Sequence, residues 1–511
     1  MVSTKRLFLA AVVLLQVVLV SCSSGPNGTP MPTATPRPTI AASPEVETSP
    51  SPETPNSSDR ESNRILVSPE NGRYLAWKGS IVYPIGNTES GSAMCGGENG
   101  WLAISSGFDW QPDLENLLKH GGNYARIAAY FPAQPVQPWL ELDDGLYDLS
   151  RYNPEWIERL EAYLAWTEAH DIVVQLEVFD NWSFTTQAQP HGWPDNPWNP
   201  DKNINYGTEV VANKTSHTDG AIYKVLGRPD SPALGLLEQY VSQLLDVSLP
   251  HGNVVYTVSN ETSGPLEWSS YWARFMHDYA DAKDTPIVVA EMPHATQPKI
   301  SLEDLVEPPE FDLIDASSAS SEDRFGNDDE GAEVEGTDET LTELYDKGEK
   351  PITTSKIYYR SPWTLWSKFI NGAASARFHR NCDRGGSDEA EPHVYFEYVQ
   401  HLRTFVDELN LEMASSIDDD VVTTLTKGVH ADVLAAPGRW YVVFLYQEAN
   451  DADASVELTL DLPKGDYNVR WYRPDTGAWI EQTQAPEGPP GEASFTAPDF
   501  ANGIALLIEV T

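Results

Sequence analysis

Residues 172–179 read Ile-Val-Val-Gln-Leu-Glu-Val-Phe. A run this short, apolar and β-branched, with a carboxylate near its end, predicts a strand covered on both faces. Upstream, Trp156, Leu160, Tyr163, Leu164 and Trp166 recur on one face of a helix, and downstream Leu236, Tyr240, Leu244 and Leu245 do the same. The strand–helix unit repeats along the chain. The other candidate strands are Ile81–Gly86, Asn123–Ala129, Val254–Asn260, Ile287–Glu291, Phe311–Ala316, Ile352–Ile357 and Ala373–Phe378. Strands alternating with helices imply a parallel sheet. Eight units between residues 65 and 413 predict an α/β fold, a (β/α)₈ TIM barrel. The competing doubly wound sheet is disfavoured because no Gly-rich phosphate loop follows the first strand.

After residue 413 the pattern changes. Val456, Leu458, Leu460 and Leu462 alternate with Glu457, Thr459 and Asp461, and Asp475-Thr-Gly477 marks a turn. Residues 414–511 therefore predict a small all-β sandwich. At the other end, Lys5 and Arg6 precede an apolar run from Leu7 to Val20, followed by Ser21-Cys22. Residues 1–22 read as a secretory signal. Residues 23–64 hold 9 Pro and 14 Ser/Thr and no aromatic residue. They predict an extended disordered spacer. The whole chain has 77 acidic and 33 basic side chains, a formal net charge of −44. That excludes a phosphate-backbone partner or charge-driven docking on anionic lipid. Three cysteines rule out a disulfide-built fold.

In barrels of this type chemistry sits at the C-terminal mouth. Alternation places Arg126, Glu177, Glu261, Glu291, Asp315, Lys356, Arg377 and His379 there, each near the end of an apolar strand. Burying one unpaired charge costs several kcal/mol, so eight converging titratable groups point to a site rather than a core. A register error of one residue would turn any of them outward. Trp182, Trp193 and Trp198 lie in the long segment after the third strand, where one or two of them are expected to touch a ligand. Trp363 and Trp366 read as packing residues. Cys95 and Cys382 follow the first and last barrel strands, so a disulfide between them and two free thiols both stand open. Glu322–Glu349 holds 12 acids and reads as a solvated insertion. No His pair has ligand spacing, so neither metal nor cofactor is expected.

Several stretches carry resemblances. Leu19-Val-Ser-Cys22 resembles the bacterial lipoprotein box, which implies lipidation of Cys22 and an extracytoplasmic, membrane-anchored protein at the cell surface. Val258-Ser-Asn260-Glu261 on the fourth strand resembles the Asn-Glu pair of clan A glycoside hydrolases, and Asn123-Tyr-Ala-Arg126 their early Asn/Arg strand. The resemblance implies that Glu261 is the general acid/base and that Asn260 contacts a sugar hydroxyl. Trp198–Tyr206, Lys356-Ile-Tyr358 and Ala373–Arg380 are similar to a less characterised branch of such hydrolases. Gly465–Trp471 resembles the domain termed collagen-binding that often follows them.

One departure concerns the seventh strand, where the clan's nucleophilic Glu is replaced by Lys356. Retaining enzymes need a second carboxylate about 5–5.5 Å away, and inverting enzymes about 6.5–9.5 Å. Glu291 or Glu177 is expected as the ionised partner of a protonated Glu261. Asp315 stands further round the barrel, and Tyr358 is a conceivable nucleophile. Arg126, Asn260, Asp315, Lys356, Tyr358, Arg377, His379 and Trp182 are the expected substrate contacts. The resulting expectation is a monomeric glycosidase hydrolysing O-glycosidic bonds of a polysaccharide or oligosaccharide. The alternatives are a non-catalytic glycan- or protein-binding lipoprotein and, third, a metal-dependent barrel hydrolase. The cations at the mouth leave a small acidic sugar open as a ligand.

Overall fold

The computed structural model describes residues 63–87, 100–217, 220–294, 299–318, 335–347, 350–357, 362–379, 393–415, 421–447, 455–481 and 491–511. Cys22, the 23–62 part of the spacer, Cys95, Cys382, Tyr358, Arg380 and Arg384 lie outside them, as does most of the 322–349 insertion.

Eight parallel strands form the central sheet: β1 (Ile85–Gly86), β2 (Tyr124–Ala128), β3 (Val173–Asp180), β4 (Val254–Asn260), β5 (Val288–Glu291), β6 (Leu313–Asp315), β7 (Ile352–Ile357) and β8 (Ser375–Phe378). Their order is β1-β8-β7-β6-β5-β4-β3-β2, with helices between successive strands, which is the TIM barrel read from the pattern. The barrel closes between β1 and β2 through Asn123. Its backbone N–H donates to the Ile85 carbonyl, and its side-chain oxygen accepts from the Ile85 N–H, both at 2.9 Å. Gly86 is required at this seam, since a Cβ there would lie 2.2 Å from the Tyr124 carbonyl oxygen.

The expected first strand, Ile81–Gly86, is two pieces. Ser80–Val82 turns back in a small antiparallel sheet with Leu75–Trp77 and Leu66–Val67, and only Ile85–Gly86 joins the barrel. Pro84 stands at the break, where it has no N–H to give a ladder. Leu75 and Trp77 of this sheet pack with Tyr124, Val173, Val255, Val288, Ala290 and Leu313 and plug the N-terminal end of the barrel.

The helices follow from their caps and stripes. Asn153 accepts from the Glu155 N–H, and Pro154 starts the helix Pro154–Ala169. Trp156, Leu160, Tyr163 and Leu164 of that helix are buried, as are Leu236, Tyr240, Leu244 and Leu245 in Pro232–Ser248. Trp166 is only half-buried and stacks on His170.

The C-terminal strands form two antiparallel sheets. Val422–Leu425, Glu457–Asp461 and Glu492–Thr496 make one; His430–Ala436, Trp440–Tyr446, Gly503–Val510, Tyr467–Arg473 and Ala478–Glu481 make the other. Leu458, Leu460 and Phe495 of the first meet Val433, Val443, Trp471 and Leu506 of the second face to face. The opposite face of the larger sheet is continuous with the barrel core. Trp366, on the helix Pro362–Ile370, lies 4.6 Å from the Phe405 ring and 5.8 Å from that of Phe444.

Candidate active site

A buried polar layer crosses the barrel beneath its C-terminal mouth. Tyr124 donates to Gln175, whose amide donates to Asp315 at 2.8 Å, and Ser355 donates to the same Asp315 oxygen at 2.7 Å. Asp315 therefore belongs to the floor. It does not line the cleft above it.

That cleft has a volume of about 400 Å³. It brings together six of the expected residues: Arg126, Trp182, Asn260, Glu261, Lys356 and His379. Arg126 on β2 and Glu177 on β3 form a buried ion pair at 2.5 Å. The Trp101 indole N–H donates to the other Glu177 oxygen at 2.5 Å, and the Arg126 guanidinium lies 5.2 Å from the Trp101 ring centre. Burial raises the proton affinity of Glu177 against the pull of Arg126 and Lys356. Both Glu177 oxygens are thus committed beneath the cleft wall.

Asn260 ends β4 and links the charged groups. Its side-chain oxygen accepts from Arg126 at 2.8 Å and from Lys356 at 2.5 Å, while its amide donates to Asp180 at 2.7 Å. Lys356 also donates to Glu261. Two features aim this pair. Glu261 has a left-handed backbone, φ 52°, uncommon for a residue with a Cβ and typical of functional positions held by their surroundings. In β7 the register shifts between Thr354 and Ile357. Ser355 already points inward to Asp315, so strict alternation would send Lys356 outward; the bulge brings both neighbours inside.

The protonation pattern runs opposite to the expectation. Burial opposes ionisation of Glu261, but the Lys356 ammonium, with His294 and Arg126 behind it, outweighs burial and holds its carboxyl at about 2. Burial lowers the proton affinity of Lys356 in turn. Glu291, expected as an ionised partner, is neither ionised nor in the cleft. Val288 and Ala290 face the barrel interior, so Glu291 faces outward, beside Ser269 of the helix Leu266–Asp281. It accepts from the Ser259 and Met292 N–H groups at 3.0 Å, and burial pushes its carboxyl up to about 8. The assumed register was one residue out at this strand. Arg377 is also buried off the cleft. It donates to the Ser355 carbonyl at 3.1 Å, and burial brings its guanidinium down to about 9.

Sequence reasoning missed Asp180. It lines the cleft and pairs across the ladder with Asn260. Its second oxygen accepts from the Ser183 N–H at 2.8 Å, capping the short helix Asn181–Thr185. Burial, against these two donors, lifts its carboxyl to about 6. Counting inward positions from Glu177 passes over residue 180, yet Asp180-Asn-Trp-Ser183 is an N-cap pattern that marks a helix starting at the mouth. Trp101, Phe131 and His191 reach the cleft from loops with no such signal. Of the three expected tryptophans, Trp182 lines the cleft and is 47% exposed. Trp193 and Trp198 are fully buried, Trp198 against Trp139 at 4.9 Å. No group of three or more His, Cys, Asp or Glu among the described residues is arranged to hold a metal.

A family model described as "Domain of unknown function (DUF6298)" matches residues 138–321. No curated protein matches. A solved structure described as a glycoside hydrolase superposes with a TM-score of 0.59 at 12% identity, over 88% of this chain and 98% of that one. A glycoside hydrolase family 5 structure from Bacteroides vulgatus ATCC 8482 gives 0.57 at 12% identity, over 88% and 93%. At such identities the likeness is one of fold, and it extends over both the barrel and the β-rich region.

Proposed function

We propose that this chain is a glycosidase hydrolysing O-glycosidic bonds of a polysaccharide or oligosaccharide, with Glu261 as general acid/base. One observation carries this reading. Glu261 and Asp180 line one cleft at the ends of neighbouring strands, with proton affinities set far apart. Two carboxyls held so differently can divide acid and base roles between them; with the Lys356 contact closed Glu261 is the ionised one, so its acid role requires that contact to open. Protonated Glu261 gives its proton to the glycosidic oxygen as the bond from C1 to that oxygen breaks. Water bonds to C1 and loses its proton to Asp180, which takes the place expected of Glu291 or Glu177. A base titrating near the working pH suits that step. Arg126, Asn260, Lys356 and His379 surround the sugar, and Trp182 offers it a ring face. The fold neighbours, described as glycoside hydrolases, support the reaction class. Lipidated Cys22 and the 23–64 spacer hold the enzyme, a monomer, at the cell surface.

The Lys356–Glu261 contact favours a second reading, a barrel that binds glycan or protein without cutting, because Glu261 cannot donate a proton while that contact stays closed. Screening glycans for released reducing ends separates the two. Hydrolysis by the wild type that falls at least ~100-fold in Glu261→Gln supports the glycosidase. A fully active variant removes Glu261 from the mechanism. A wild type that binds glycan and releases no ends supports the second reading.

A further inference from the structure

The cleft lacks the acidic excess of the rest of the chain. The protein has 77 acidic and 33 basic side chains, yet the cleft presents two cations, Arg126 and Lys356, against two carboxyls, Asp180 and Glu261, with His191 and His379 beside them. Lys356 is almost wholly buried, and its ammonium is held between the Asn260 oxygen and the Glu261 carboxylate. A buried cation stripped of its counter-ion is strongly disfavoured. A neutral sugar has only hydroxyls to offer Lys356 and leaves the pair closed. A ligand carboxylate can replace Glu261 on Lys356 and keep the ammonium paired, while Asn260 keeps its place and the displaced Glu261 is left to take up a proton.

We infer that the glycan this cleft takes carries a carboxylate, as in a uronic acid, and that Lys356 is the receptor for that group. The inference rests on the glycosidase reading and deepens it by naming the substrate class. It also removes the obstacle to the acid role of Glu261. When the substrate carboxylate captures Lys356, Glu261 loses the cation that keeps it ionised. Its side chain, 31% exposed, then takes a proton from solvent. Binding of the acidic sugar and protonation of the acid become one event, so a neutral glycan leaves the site unarmed.

The test is calorimetric titration of the whole protein with D-glucuronate and D-galacturonate against D-glucose, D-galactose and the neutral methyl ester of glucuronic acid. These probes have no scissile bond, so the outcome is independent of hydrolysis. At least one uronate is expected to bind about tenfold tighter or more than its neutral counterparts. Repeating the titration near pH 5 in buffers of different ionisation enthalpy is expected to show proton uptake. Lys356→Met should abolish the preference and Lys356→Arg should retain it. Glu261→Gln should bind uronate more tightly, because the competitor for Lys356 is gone, and with reduced proton uptake. Equal binding of uronates and neutral sugars by the wild type overturns the inference, as does unchanged uronate affinity in a folded Glu261→Gln protein. If the variants do not fold, the wild-type comparison of acid with ester still decides. Uronate binding with no glycan cut would defeat the glycosidase reading alone; cleavage of neutral glycans without uronate preference would defeat this inference alone.

Discussion

Single side chains at the mouth differ sharply in what holds them. Asn260 and Lys356 are fixed from several sides, whereas Trp182 is 47% exposed and meets only the His217 ring, at 6.0 Å, among the aromatic contacts of the described residues. Loss of a half-exposed ring with so little packing costs little stability. Trp182→Ala is therefore expected to leave the unfolding free energy within about 0.5 kcal/mol of wild type. Glycan affinity should fall roughly tenfold, the worth of one ring contact. A large stability loss with unchanged affinity would assign Trp182 to packing. The contrast with Trp193 and Trp198, eleven and sixteen residues further along the same segment and fully buried, shows why aromatic composition alone does not locate a sugar site.

At the scale of elements, two local irregularities build the site. The bulge in β7 delivers Lys356, and the seam between β1 and β2 closes the barrel on which every mouth residue depends. The seam tolerates no side chain at Gly86, because the Tyr124 carbonyl occupies the space. Gly86→Ala must push β1 away from β2, and overpacking of this kind costs about 1–3 kcal/mol or more. Urea denaturation should show that loss, with the site's glycan affinity weakened as well. A Gly86→Ala protein as stable as wild type would mean that the seam is not held as tightly as its backbone bond implies. Neither irregularity is a hydrophobic-pattern feature, so neither shows in the alternation of apolar residues.

For the whole molecule, the buried carboxyls set the response to pH. Glu291 binds its proton more tightly folded than unfolded, its carboxyl being pushed up to about 8. Its contribution is therefore fully present below the unfolded value near 4.5 and is lost as pH rises toward 8. Asp180, lifted to about 6, acts in the same direction over a narrower window. Glu261 has the opposite sign. Held at about 2, it stabilises the fold above the unfolded value and loses that contribution as pH falls through the acid range. Self-repulsion from a net charge of −44 adds to the loss on the alkaline side. Calorimetric melting is expected to peak near pH 5 and decline toward pH 8, and Glu291→Gln should flatten that decline by roughly 3 kcal/mol at pH 7. A wild-type profile flat between those limits would contradict the protonated burial of Glu291.

The hydrophobic pattern alone determined the barrel, the β-rich region after it and the strands that carry Arg126, Asn260, Glu261 and Lys356, because burial on two faces imposes long-range regularity on composition. Side-chain direction was determined only where alternation persists to the end of a strand. It does so at Asp315, while at Glu291 the register is one residue off the expected one, and at Lys356 the expected inward direction holds only because a bulge lets Ser355 and Lys356 both face the barrel. Protonation was decided by tertiary structure alone. Glu261 and Glu291 are the same residue type at the ends of adjacent strands, yet one lies against an ammonium and the other against a helix. The balance of desolvation and Coulomb attraction, which depends on distances no spacing encodes, sends them in opposite directions.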